Sequence, residues 1–157
     1  MTNALTITAE PGVPYTDFVR EFDAPVAALF EAHRDPALAA QWSGPDGYEV
    51  EMERYDFRTG GGYRFTHVDG DNRYEFNGVY HVVRENEFVV QTFEYEGFPD
   101  VVSIESLRFE DLGDGRSRLA GHAVYPSQEA RDGMIDSGME RGMSEGYNRL
   151  DGLLASS

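Results

Sequence analysis

The last part of the chain carries the clearest hydrophobic pattern. In residues 127–154, apolar side chains recur every four residues from Ile135 through Met139 and Met143 to Tyr147, and leucines continue the same face. Charged residues fall on the other side, so the pattern predicts one amphipathic helix over residues 127–154. At about 1.5 Å per residue this helix would be about 40 Å long, enough to cross a small domain.

A second stripe in this segment consists of glycines, at Gly138, Gly142 and Gly146. Each glycine lowers helix propensity by about 1 kcal/mol relative to alanine. We therefore expect the helix to be supported by the rest of the domain. The glycines would either leave space or allow close packing against a sheet.

The middle of the chain alternates between apolar and polar residues, and glycine-rich or Asn/Asp turns separate the alternating runs. A phase slip at Arg54 and Tyr55 predicts a β-bulge. The predicted elements are a strand at residues 18–22, short helices at 26–33 and 36–42, and strands at 48–57, 63–68, 73–83, 87–95, 101–110 and 117–125.

This order predicts an α+β domain of the helix-grip type, because a curved sheet with one hydrophobic face needs a cover. The curved antiparallel sheet would wrap around the long C-terminal helix, with two short helices after the first strand. We expect a flexible N-terminal arm at residues 1–15, which contain Pro11, Gly12 and Pro14, and a single domain at residues 16–157.

The hairpin turns assign one face of the sheet to the helix, because directly opposed residues share a face. The predicted pairs include Phe65 with Phe76, Tyr80 with Gln91, Phe93 with Glu105, and Leu107 with Gly121. Gly78, Gly121 and Ala123 would thin this face. The alternative to a cavity is a solid core with tyrosine hydroxyls at its rim.

Aromatic rings with polar tips and flexible methionines are typical of a cavity for a small apolar molecule. The predicted ligand-binding residues are Trp42, Tyr63, Phe65, Tyr74, Phe76, Tyr80, Gln91, Phe93, Tyr95, Leu107, Met139, Met143 and Tyr147. Trp42 would be either a core anchor or a lid of the pocket.

Two residues on the predicted inner face are candidates for catalysis. Glu105 points inward, where a lone carboxylate is costly unless it is paired, hydrogen-bonded or protonated, and such a group could act as a general acid or base. A register error or an arginine partner would remove that role. His67 could hydrogen-bond a ligand, although solvation at the rim is the favoured interpretation. The other histidines are scattered, so no metal site or cofactor is expected.

Four stretches together resemble a known family. They are REFDAP at residues 20–25, DPALAAQWSGP at 35–45, DFRTGGGYRF at 56–65 and FEDLGDGRSRL at 109–119. In this order they are similar to bacterial homologues of the activator of Hsp90 ATPase, within the START/SRPBCC (birch-allergen-like) superfamily. The resemblance covers about residues 18–154. It implies a seven-stranded-type antiparallel sheet that grips the C-terminal helix around a hydrophobic cavity.

The resemblance implies no single activity, because members include lipid and hormone binders, aromatase/cyclases and a eukaryotic co-chaperone domain. This chain departs from the family pattern at two positions that concern the pocket. Relatives often have a second tryptophan at the position of Ser43, and they often have a tryptophan in the helix near Met143. Both changes would enlarge or reshape the cavity. The first hypothesis is therefore binding of a small hydrophobic or aromatic ligand. The alternatives are a cyclase/dehydratase-type enzyme that uses Glu105, with a tyrosine or His67 polarising the substrate, and a chaperone-associated interaction module.

The amino-acid composition limits the classes of binding partner that we expect. The formal net charge is −16, and all 13 basic residues are arginines. A field of that sign repels phosphate backbones and anionic lipids, so nucleic-acid and membrane partners are not expected. The absence of cysteine excludes disulfides and thiolate chemistry. No segment has the length or composition of a signal peptide or membrane span, which predicts a soluble cytoplasmic protein. Homodimerisation is left open.

Overall fold

The computed structural model describes residues 3–155, which form an antiparallel sheet of eight strands and four helices. The elements are β1 (Thr6–Thr8), β2 (Tyr15–Phe22), α1 (Val26–Arg34), α2 (Pro36–Trp42), β3 (Glu49–Tyr55), β4 (Gly62–Asp69), β5 (Asn72–Arg84), β6 (Phe88–Tyr95), β7 (Val102–Gly113), β8 (Arg116–Val124), α3 (Gln128–Asp136) and α4 (Met139–Ala155). The sheet order is β1-β2-β8-β7-β6-β5-β4-β3. The predicted α+β, helix-grip architecture is confirmed.

Most of the predicted strand pairing is also confirmed. Phe65 lies opposite Phe76 and Tyr80 opposite Gln91. The predicted bulge in β3 lies between Met52 and Arg54, where the pairing with β4 shifts. The turn residues and the alternating pattern therefore determined which side chains face α4 in these hairpins.

The hairpin between β6 and β7 differs from its predicted pairing by two residues. Glu105 lies opposite Gln91, whereas the sequence predicts Phe93 as its partner. The pairing is therefore centred one residue earlier than predicted, in a turn where the Phe98 N–H donates to the Tyr95 carbonyl at 3.0 Å. Because the shift is an even number, every side chain keeps its predicted face.

Part of the N-terminal segment that the sequence predicts as a flexible arm is paired with the sheet. β1 pairs with the edge of β2, where Thr6 lies opposite Val19. Further along, the Pro14 carbonyl accepts the Tyr125 N–H at 2.8 Å. The three-residue strand was too short to produce a visible pattern beside the prolines. Residues 1–2 of the predicted arm, and residues 156–157 of the predicted domain, lie outside the described residues.

The C-terminal segment is two helices rather than one continuous helix over residues 127–154. α3 begins after Ser127, whose Oγ accepts the Ala130 N–H at 3.1 Å, and it ends before Ser137. Gly138 then has a φ of +92°, a left-handed conformation that is readily available only to glycine. The first glycine of the predicted stripe therefore ends one helix and separates it from the next.

Two buried or half-buried arginines hold α4 against the rest of the domain. Arg20 of β2 donates to Asn148 Oδ1 at 3.0 Å and forms an ion pair with Asp151 at 3.4 Å. Arg149 of α4 donates to the Trp42 carbonyl at 2.8 Å and also to the two carbonyls that follow it. Planar guanidinium groups with several donors suit such multiple contacts. α4 is thus fixed both to the sheet and to the end of α2.

The third glycine of the stripe makes a close contact with the α2–β3 connection rather than with the sheet. A Cβ at Gly146 would lie 3.1 Å from the Trp42 carbonyl oxygen. At Gly142 a Cβ would meet only Pro45, at 3.7 Å. Of Gly142 and Gly146, only Gly146 is therefore in tight contact with a neighbouring element.

A solid core lies to one side of the helix contact. It is formed by side chains that are almost fully buried between α1, α4 and the sheet: Phe22, Leu29, Phe30, Val89, Leu119 and Leu150. No helix within residues 3–155 is both long and apolar enough to cross a membrane.

Candidate ligand-binding cavity

A cavity of about 290 Å³ lies beside this core, between the inner face of the sheet and the C-terminal helices. Eleven of the predicted site residues line it: Trp42, Tyr63, Phe65, Tyr80, Gln91, Phe93, Glu105, Leu107, Met139, Met143 and Tyr147. The inner side of the sheet therefore does not pack solidly against α4 along its whole length.

Four predicted residues, His67, Tyr74, Phe76 and Tyr95, are not among those that line the cavity. They share the inner face of the sheet but form a separate aromatic cluster. In this cluster the Phe76 ring centroid lies 5.3 Å from that of Tyr95 and 5.1 Å from that of His67. Burial and the nearby Arg149 charge lower the pKa of His67 to about 4, which keeps this imidazole neutral near pH 7. Contact of these four residues with a ligand stays a prediction.

The cavity also has a wall formed by residues that were not predicted from the sequence. The additional lining residues include Phe18, His33, Ala39, Met52, Tyr55, Phe57, Tyr125 and Met134. Phe18 and Tyr125 continue the inward alternation of β2 and β8, so that pattern could have found them. Tyr55 and Phe57 follow the bulge, which changes the alternation, and Met134 precedes the helix break.

Two glycines expected to thin the sheet face do not create empty space. A Cβ at Gly121 would overlap the Phe18 ring, and one at Gly78 would lie 2.5 Å from the Tyr63 hydroxyl oxygen. Aromatic rings on neighbouring strands thus occupy the positions above these glycines. Ala123, in contrast, does line the cavity.

Glu105 is the single acidic residue among those that line the cavity. Gln91 Nε2 donates to its Oε1 at 3.0 Å, a contact produced by the actual pairing of β6 with β7. Burial raises the pKa of the Glu105 carboxyl to about 7, because the low-polarity surroundings disfavour its charge and the Gln91 hydrogen bond only partly offsets this. The cavity-lining residues include no arginine or lysine that would neutralise it.

The tyrosines around Glu105 differ in whether their hydroxyls are engaged. The Tyr63 hydroxyl donates to the Thr92 carbonyl at 2.6 Å, and the Tyr125 hydroxyl contacts the Met139 sulfur at 3.6 Å. The Tyr147 hydroxyl makes no hydrogen bond within residues 3–155, although its side chain is buried. Burial and the Glu105 charge raise the pKa of Tyr147, so its hydroxyl stays a neutral donor.

Trp42 and His33 form the wall at the end of α2. The Trp42 ring stacks on Tyr147 with centroids 5.6 Å apart, and its indole N–H donates to the Ala32 carbonyl at 2.9 Å. Trp42 is therefore an anchored wall residue. The His33 Nδ1 lies 2.8 Å from the Leu29 carbonyl, and burial lowers the His33 pKa to about 4. This imidazole is neutral near pH 7.

No group of three or more His, Asp or Glu side chains in the described part of the chain is arranged to hold a metal ion. The arrangement consists instead of an apolar, aromatic cavity whose polar lining includes the Glu105 carboxyl, the Gln91 amide and the Tyr147 hydroxyl. His33 Nε2 and Ser43 Oγ, in the same lining, are buried and make no hydrogen bond within residues 3–155. The cavity can enclose a small ring system and offer it one or two hydrogen bonds.

A family model described as activator of Hsp90 ATPase homolog 1-like protein matches residues 23–155. The chain belongs to this family. The match includes α1, α2, the strands β3 to β8 and both C-terminal helices, and hence almost all of the cavity wall. No curated protein matches the sequence.

Solved structures similar to this activator-homologue chain share its fold. A protein from Arthrobacter aurescens is 21% identical, with a TM-score of 0.87 over 97% of this chain and 92% of its own. A Rhodobacter sphaeroides protein is 24% identical, with a TM-score of 0.84 over 96% and 99%. Protein Ms6760 from Mycobacterium smegmatis is 24% identical, with a TM-score of 0.86 over 97% of each chain.

Proposed function

We propose that this protein binds a small apolar or aromatic molecule in the cavity between the sheet and α4. The observation that carries the proposal is the cavity itself, about 290 Å³ in volume and walled mainly by aromatic rings and methionines. Methionines at Met134, Met139 and Met143 supply flexible side chains that adapt to the shape of a ligand.

The volume sets the size of the ligand. Engineered apolar cavities of about 150 Å³ hold a benzene ring, and pockets for small molecules begin at roughly 300 Å³. A cavity of about 290 Å³ therefore suits a molecule of one or two fused rings. The stacked pair Trp42 and Tyr147 provides a flat surface for such a ring.

Filling the cavity from the sheet side tests this proposal. Ala123 lines the cavity, whereas Ala120 on the same strand faces outward beside Val19, which is 39% exposed. We expect Ala123→Phe to reduce the affinity for naphthylmethanol at least about tenfold, because the new ring occupies the ligand volume. Isothermal titration calorimetry measures the affinity, and Ala120→Phe is the matched control. Equal affinity in Ala123→Phe and wild type would contradict the proposal.

A second candidate function is acid–base catalysis of the cyclase or dehydratase type. The observation that favours it is the Glu105 carboxyl, whose pKa of about 7 lets it both donate and accept a proton near neutral pH. The unengaged Tyr147 hydroxyl could polarise a ligand carbonyl. For any substrate that is turned over, Glu105→Gln should abolish turnover while affinity for a neutral ligand stays within about threefold. Full turnover in that variant would exclude the role.

A further inference from the structure

The charges around the cavity select among small aromatic ligands. Glu105 is surrounded by aromatic rings, and the residues lining the cavity include neither arginine nor lysine. His33, the histidine whose ring lies against Trp42 in the wall, is neutral near pH 7. A carboxylate or phosphate ligand would therefore place a second negative charge near Glu105 with no arginine in the cavity wall to balance it.

The hydrogen bonds of Glu105 are incomplete. Its carboxyl can accept about four hydrogen bonds, and within residues 3–155 it receives one, from Gln91 at 3.0 Å. The hydroxyl of Tyr63 is engaged by the Thr92 carbonyl and that of Tyr55 by the His33 carbonyl. A ligand that donates several hydrogen bonds would supply what the carboxyl lacks.

From this arrangement we propose that the cavity is selective for an aromatic amine in its protonated form, whose ammonium group pairs with the Glu105 carboxylate. The inference rests on the proposed ligand-binding function and specifies the ligand class. The ammonium group donates up to three hydrogen bonds to the carboxylate, and the surrounding ring faces also attract a cation. The net charge of −16 concentrates cations around the protein and favours the same selectivity.

Pairing with the ammonium group makes binding depend on pH. The titratable groups facing Glu105 are Tyr63 on β4, Tyr80 on β5, Tyr125 after β8 and Tyr147 on α4. Burial raises the pKa of all four, so none of them titrates near pH 7. His122 also contributes to the cavity wall, where its Nδ1 lies 2.7 Å from Asp17 Oδ1. Affinity for the amine should rise with pH as the Glu105 carboxyl loses a proton.

Three ligands that differ only in their polar group test the proposal: naphthylmethylamine, naphthylmethanol and naphthoate. Calorimetry on the wild-type protein at about pH 8 should give an affinity for the amine at least about tenfold above that for the alcohol, and the weakest binding for naphthoate. Between about pH 6 and about pH 8 the amine affinity should increase, whereas the alcohol affinity should change by less than about twofold.

A variant supplies the second part of the experiment. Glu105→Gln should lose at least about tenfold in amine affinity, keep its alcohol affinity and show no pH dependence. Glu110→Gln, on the outer face of the same strand, is the control. If amine and alcohol bind equally well to wild type, the amine inference fails and the proposed binding function stands. If none of the three ligands binds, both fail. The wild-type comparison remains decisive even if a variant does not fold.

Discussion

The Glu105 carboxyl lies in low-polarity surroundings and receives one hydrogen bond within residues 3–155, which affects the stability of the protein. Its folded-state pKa is about 7, above the ordinary value of 4.5. At a pH below both values the carboxyl is protonated in the folded and unfolded states alike. At a pH between the two pKa values the unfolded chain loses the proton while the folded chain keeps it. The free energy of unfolding therefore falls as pH rises from the lower pKa to the higher one.

We therefore expect wild type to lose stability relative to Glu105→Gln between about pH 4.5 and about pH 7, by at most about 3 kcal/mol. Urea unfolding at several pH values measures the difference between the two proteins, in which the contributions of the other groups cancel. A constant difference across the whole range would show that the carboxyl is solvated like a surface group.

Single residues also show what the sequence could reveal about the site. The inward direction of Glu105 followed from strand alternation alone. Its partner Gln91 did not, because the pairing of β6 with β7 depends on the turn near Phe98. His33 was not identified as a cavity residue because its position in the wall results from the packing of α1 against α2 and β7.

At the level of elements, Gly142 and Gly146 of α4 have the same intrinsic helix propensity and different surroundings. A Cβ at Gly142 meets one Pro45 atom at 3.7 Å, whereas at Gly146 it lies 3.1 Å from the Trp42 carbonyl oxygen. We expect Gly142→Ala to stabilise the protein by up to about 1 kcal/mol, because alanine favours the helix. Gly146→Ala should gain nothing or lose stability, because α4 must move away from α2.

Thermal unfolding compares these two variants directly. The chain has one tryptophan, Trp42, so its fluorescence reports any displacement at the contact with Gly146. An emission change in Gly146→Ala and none in Gly142→Ala is expected. Equal stabilisation by both substitutions would show that the close contact does not constrain the helix.

The elements themselves were predictable wherever a pattern extends over several residues. The strands from β3 to β8 and the two short helices follow alternation, proline positions and turn residues. The break at Gly138 was missed because the four-residue apolar repeat continues across it, and a glycine inside a helix and one that ends a helix look the same in sequence. β1 was missed because three residues carry too little periodicity.

For the molecule as a whole, the fold follows from one requirement, that a curved sheet must cover its apolar face with the C-terminal helix. The sequence predicted this architecture, and the family match and solved structures agree with it. It could not establish the volume of the cavity, because the spaces expected above Gly78 and Gly121 are occupied by the Tyr63 and Phe18 rings. Such volumes depend on side-chain conformations that no periodic pattern encodes.

The alternation of side chains along the strands separates two sets of positions that can change independently during evolution. On β7, Glu105 and Leu107 line the cavity while Arg108 and Glu110 lie outside it. Substitutions at the first set alter what fits inside, and those at the second alter charge and solubility, because one strand carries both. A lineage can therefore acquire a new ligand while its surface adapts separately to a different cellular environment.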